Sequence, residues 1–246
     1  MNATHQPRMP AVVLILGMVI PTLITWVYFD LLASAPAIAQ STAYVLGKLS
    51  QVGILLVALR IWRKTFQLTP DDKPLIRRSI GKGWLVFGGL LGLVIGCTAV
   101  GVFQWVLMPL GVMEPVKVAA TEKLQRLGAD SPAILLAIAL FYVLLHSGFE
   151  ELYWRGFVFR GLNEHLATAP ANCLSSLAFM SHHVLVLAKY FGFGSIMTYL
   201  LAISVAIGGM IWAALYKRCG SLIPGWISHA LVDAAIFVIA YQMVFA

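Results

Sequence analysis

Apolar residues along this chain fall in long uninterrupted runs, not in alternating or amphipathic patterns. The runs are Ala11–Leu32, Thr42–Ile61, Trp84–Leu110, Ala133–Phe149, Asn172–Phe191, Ser195–Tyr216 and Leu222–Phe245. Each is near the roughly 20 residues that cross hydrocarbon as an α-helix. Spanning backbone must satisfy its own hydrogen bonds, so the pattern predicts helices throughout. Trp84–Leu110 is long enough to tilt, or to break at its glycines. The expected fold is all-α: a single integral membrane domain over residues 1–246, built as a polytopic bundle of about seven to eight helices.

Composition and charge place this bundle in a membrane. The chain has 246 residues, 60% hydrophobic and 11% charged, where a soluble domain carries about 25% charged residues. Its net charge of +7 fits basic cytoplasmic loops better than a nucleic-acid partner, and none is expected. Between the second and third runs lie Arg60, Arg63, Lys64, Lys73, Arg77, Arg78 and Lys82, opposed by Asp71 and Asp72. This loop is expected in the cytoplasm, which puts the N-terminus inside and Arg160, Glu164, Lys217 and Arg218 on the same side. Thr69-Pro70-Asp71-Asp72 reads as a helix start, with Thr69 as cap and the aspartates at the positive end. The connection Gly111–Ser131 balances three basic against three acidic residues. Cys97, Cys173 and Cys219 fit no disulfide or metal spacing. The first run is too long for a signal-peptide core and reads as a transmembrane helix.

Few polar groups interrupt the runs, and most of them lie in the C-terminal half. Asp30 and Lys48 sit near outer ends, where snorkelling suffices. The others are His146, Glu150, Glu151, Arg155, His182, His183, His229 and Asp233, confined to three segments. A charge at bilayer depth costs about 2.5–3.5 kcal/mol on insertion scales, so such residues face a protein interior or a wet cavity. Residues four apart share a helix face. On that spacing Glu151 pairs with Arg155, His146 with Glu150, Phe179 with His183, and His229 with Asp233. Glu150 and Glu151 diverge by about 100°. Arg155 can then neutralise Glu151 while Glu150 points elsewhere.

A carboxylate in a partly dry site can serve as a general base near neutrality. An imidazole beside it can orient the same water, and a second, held by Asp233, can donate to a developing oxyanion. That is equipment for hydrolysing a peptide bond without a covalent intermediate. No serine or cysteine has a histidine on its own face; Ser147 shares one with Glu151. The zinc pattern H-E-x-x-H is absent, although Glu150, His183 and His229 could be gathered as ligands; no cofactor is expected, with zinc as the alternative.

These residues resemble the CAAX-protease and bacteriocin-processing family of intramembrane glutamic endopeptidases. E-E-x-x-x-R stands as Glu150-Glu151-Leu-Tyr-Trp-Arg155, F-x-x-x-H as Phe179-Met-Ser-His-His183, and H-x-x-x-N/D as His229-Ala-Leu-Val-Asp233 after Gly220-Ser-Leu-Ile-Pro224-Gly. The resemblance covers about 149–234, the expected catalytic core; before Ser131 it extends only to hydropathy. It implies a helical bundle around a conical polar cavity, and a peptide or protein substrate cut near the membrane surface. It also implies Glu150 as general base, His183 assisting, His229 and Asp233 at the oxyanion, and Glu151, Arg155 and Phe179 ordering the site. Asp233 departs from the asparagine of CAAX-processing members and, ionised, cannot donate a hydrogen bond. His146 and His182 are additional histidines. His182 could face a polar gap; His146 could tune Glu150 or cap a helix contact. Tyr153 and Trp154 read as packing residues or interfacial anchors, with substrate gripping as the alternative. A proton-coupled transporter and a non-catalytic immunity or scaffold protein are the competing classes. Compactness and the lack of eukaryotic targeting signals point to the cell membrane of a prokaryote.

Overall fold

The computed structural model describes residues 8–65, 81–126 and 131–245. Among them the chain is helical and has no strand. Seven helices are long and apolar enough to cross a membrane: α1 (Ala11–Leu31), α2 (Ile38–Arg60), α3 (Lys82–Leu107), α5 (Pro132–Leu162), α6 (Thr168–Phe191), α7 (Ile196–Cys219) and α8 (Ile223–Phe245). A further helix, α4 (Glu114–Arg126), lies between the third and fourth spans. Large apolar side chains such as Trp105, Ile38, Leu145 and Ile196 are exposed on the spans, a surface suited to lipid rather than water. The protein is an integral, multi-pass membrane protein.

The helices differ from the apolar runs in three places. The fourth span does not stop at Phe149 but continues to Leu162, because Glu150, Glu151 and Arg155 depress hydropathy without breaking the backbone. The third span runs through its glycines unbroken as an α-helix to Val102 and then widens to a π-wound turn over Phe103–Leu107. The charge-balanced connection contains α4, with Glu114 in its first turn, where a carboxylate faces the positive helix end. The helix start at Thr69-Pro70 lies outside the described residues.

The chain divides into two compact units, Met1–Arg77 with Tyr153–Ala214 and Arg78–Leu152 with Leu215–Ala246. In the first, α1 packs on α2 and α6. Gly17 lies against Phe157 and Val158, and Gly161 against Leu14, where a side chain would collide. Pro21 sits inside α1 and has no N–H to give the carbonyl four residues before it. That carbonyl, on Gly17, instead accepts a hydrogen bond from the Tyr153 hydroxyl at 2.8 Å. Thr22 and Ser181 share a hydroxyl hydrogen bond of 2.5 Å. The Asn172 amide donates to the Met210 carbonyl at 3.0 Å, tying α6 to α7.

In the second unit, α3 and α8 form the most extensive pairing. Gly88, Gly92 and Gly96 recur every four residues and present bare backbone to Pro224, Ser228, Leu231 and Ala235 of α8. Small residues at this spacing let membrane helices approach closely, where dispersion between packed surfaces drives association. The turn into α8 has a clear local cause. Gly220 adopts φ +67° and ends α7, a left-handed conformation that glycine takes without strain. The Ser221 hydroxyl then accepts from the Ile223 N–H at 3.2 Å, and Pro224 follows in the first turn. At the other end, the Gln104 amide donates to Gln242 at 2.6 Å.

Candidate active site

The second unit gathers three carboxylates and two imidazoles from α5 and α8. Glu150 and Glu151 lie in a short α-wound stretch, Ser147–Glu151, between π-wound turns over Phe141–His146 and Leu152–Phe159. Wide turns of this kind recur at functional sites, since they re-aim side chains that a regular helix would space differently. Glu150 is 8% exposed, Glu151 1% and His229 5%.

His229 is the hub. Its Nδ1 lies 3.0 Å from Glu151 Oε1, while its Nε2 lies 3.7 Å from both Glu150 Oε2 and Asp233 Oδ1. Only the first is within hydrogen-bond distance. The ring is therefore held by Glu151, not by Asp233 as the four-residue spacing suggested. A carboxylate on Nδ1–H fixes which nitrogen turns to Glu150, and Nε2 donates there only as the imidazolium. Glu151 thus has a partner on α8 that no spacing along α5 could reveal. On the far side of Glu150, Oε1 lies 3.2 Å from His146 Nε2.

The Trp226 indole keeps α5 and α8 in register beside this cluster. Its Nε1 donates to Ser147 Oγ at 3.2 Å, and its ring covers Gly148, where any Cβ would crowd the indole. Ser147 in turn donates to the Val143 carbonyl at 2.5 Å. These three residues were not legible as site residues; their pairing depends on the helix crossing.

The remaining motif residues belong to the first unit. Phe179 is buried, and its carbonyl lies 3.0 Å from His183 Nδ1. A proton on Nδ1 that donates there leaves Nε2 as the acceptor of a neutral ring. His182 packs among aromatic rings. Its ring stacks nearly parallel to Trp154 at 5.8 Å and lies 4.2 Å from the His183 ring. Arg155 is 1% exposed, its guanidinium 4.7 Å from the Phe179 ring and 5.1 Å from the Trp212 ring. Two aromatic faces stabilise a desolvated cation there. Tyr153 and Trp154 are both buried, so they pack rather than anchor at an interface. Among the described residues, no three His, Cys, Asp or Glu side chains are grouped to hold a metal ion.

Comparison with known proteins agrees with the part of the chain that carries this chemistry. Residues 132–235 match the family described as type II CAAX prenyl endopeptidase Rce1-like. No curated protein and no solved structure matches the chain. The match begins at the foot of α5 and ends just after Asp233, so all three motifs lie within it. Over that segment the chain is similar to the Rce1-like family of prenyl endopeptidases.

Proposed function

We propose that the protein is an intramembrane endopeptidase in which Glu150 activates water against a peptide bond of a peptide or protein near the membrane surface. The observation that carries this reading is the buried Glu150 carboxylate beside His229 within the matched segment. Glu150 takes a proton from water as the water oxygen bonds to the scissile carbonyl carbon. His183, by its place in the second motif, assists the same water. The carbonyl oxygen gains the charge, and His229, as imidazolium with Nδ1–H on Glu151, donates Nε2–H to it. Glu150 then returns its proton to the leaving nitrogen as the C–N bond breaks. Asp233 contributes a hydrogen bond if protonated; ionised, it acts through its charge across from Nε2. Glu151, Arg155 and Phe179 order the site. No cofactor is required. The setting is the cell membrane of a prokaryote, with the N-terminus in the cytoplasm. The family match does not favour the transporter or scaffold alternatives.

The test uses purified protein in liposomes and a proteome-derived peptide library, half of it carrying farnesylated C-terminal CAAX tails. New peptide termini are read by mass spectrometry. The parent is expected to generate them and Glu150→Gln to generate none, while melting at the parent's temperature. A Glu150→Gln protein that cuts at the parental rate refutes the assignment. Cleavage confined to farnesylated members would identify a prenylated CAAX substrate; cleavage of unmodified members would identify an unprenylated peptide. A strong chelator is expected to leave the rate unchanged, and a loss restored by zinc would establish a metalloprotease instead.

A further inference from the structure

The geometry points to His146 as a positioning residue for Glu150, a role that deepens and rests on the proposed function. Two imidazoles address different oxygens of the Glu150 carboxylate. His146 Nε2 lies 3.2 Å from Oε1, within hydrogen-bond reach, while His229 Nε2 lies 3.7 Å from Oε2, beyond it. A carboxylate fastened at one oxygen loses rotation about its terminal torsion, which is otherwise broad. The second oxygen is then held towards His229, on the side where the reaction is proposed.

An i, i+4 contact on one helix can be incidental, worth a few tenths of a kcal/mol. Here the histidine is itself held. The Tyr142 ring lies 4.7 Å from the His146 ring and 5.7 Å from Phe237 of α8. Tyr142, His146 and Glu150 follow one another at four-residue steps along one face of α5. The first of them is braced by the helix that carries His229. The brace runs Phe237, Tyr142, His146, Glu150, and it fixes the base relative to the imidazole opposite. None of the three recognised motifs contains this position.

The test compares amides of different reach, using the library peptide that the parent cuts fastest. The glutamine amide nitrogen reaches the place of histidine Nε2, whereas the asparagine amide stops near Nδ1. His146→Gln is expected to keep kcat within about threefold of the parent. His146→Asn and His146→Leu are expected to lower kcat about a hundred-fold with KM within about twofold, the scale of a catalytic group displaced by about 1 Å. Should His146→Leu fail to fold, the two amides still decide, being alike in polarity. Equal rates for the glutamine and asparagine variants, whether both high or both low, overturn the proposal. A Glu150→Gln enzyme that retains cleavage refutes the underlying assignment and the inference with it, and that arm alone reveals it.

Discussion

Adding one methyl group to α3 should move the candidate site. A Cβ built on Gly92 meets the Ser228 carbonyl oxygen at 2.7 Å, the Ser228 Cα at 2.8 Å and the Leu231 Cβ at 2.9 Å. Two of these atoms are backbone and cannot rotate aside, so α8 itself must withdraw. Restoring ordinary contact at about 3.4 Å needs a shift of about 0.7 Å. Ser228 immediately precedes His229, whose hydrogen bond to Glu151 is 3.0 Å. If the shift is taken up along that bond, it lengthens to about 3.7 Å, outside hydrogen-bond range. Gly92→Ala should therefore cost about 1–3 kcal/mol as an overpacking change. At about 2–4 °C per kcal/mol for a chain of this size, that is a fall of several degrees in Tm. The cleavage rate should fall by about ten- to a hundred-fold. Gly89→Ala is the control, since its Cβ would meet nothing within 4 Å; it should keep the parental rate and Tm or gain slightly in helix propensity. Both are measured by thermal unfolding of detergent-solubilised protein and by peptide cleavage in liposomes. Parental Tm and rate in Gly92→Ala, or equal damage from Gly89→Ala, would refute the view that the bare glycine face sets the position of His229.

Two other substitutions probe the scaffold. Arg155→Ala removes the guanidinium from the faces of Phe179 and Trp212 and should lower stability by about 1–3 kcal/mol, with reduced membrane expression; Arg155→Lys should not restore it, because an ammonium lacks the planar face that stacks. Trp226→Phe keeps the ring over Gly148 but deletes the donor to Ser147 Oγ at 3.2 Å, for an expected loss of about 0.5–1.5 kcal/mol in a denaturation assay.

Much of the architecture was legible because a bilayer leaves few choices. All seven spans could be placed from run length alone, within a few residues at most ends. The exception, the C-terminal end of α5, failed for the reason that makes it interesting: its charged motif depresses hydropathy inside a helix that packing sustains. The helix α4 was hidden because its charges balance and its apolar residues form no span. The glycines of α3 were visible, but only the presence of α8 against Gly88, Gly92 and Gly96 distinguishes a docking surface from a break. Within the site, the same-helix pair of His146 and Glu150 followed from four-residue spacing. The bond from His229 to Glu151 did not, because it depends on which face of α8 turns towards α5. The stacking of His182 on Trp154 was missed for the same reason.

Pro21 and Tyr153 stand far apart in the chain yet settle a single question of valence: which hydrogen answers the Gly17 oxygen. An engineer who swaps the tyrosine for phenylalanine strands that oxygen, and one who first replaces the proline supplies a substitute from within the helix. The order of the two edits decides whether the intermediate protein is sound, so a path through sequence space that is open in one direction is obstructed in the other.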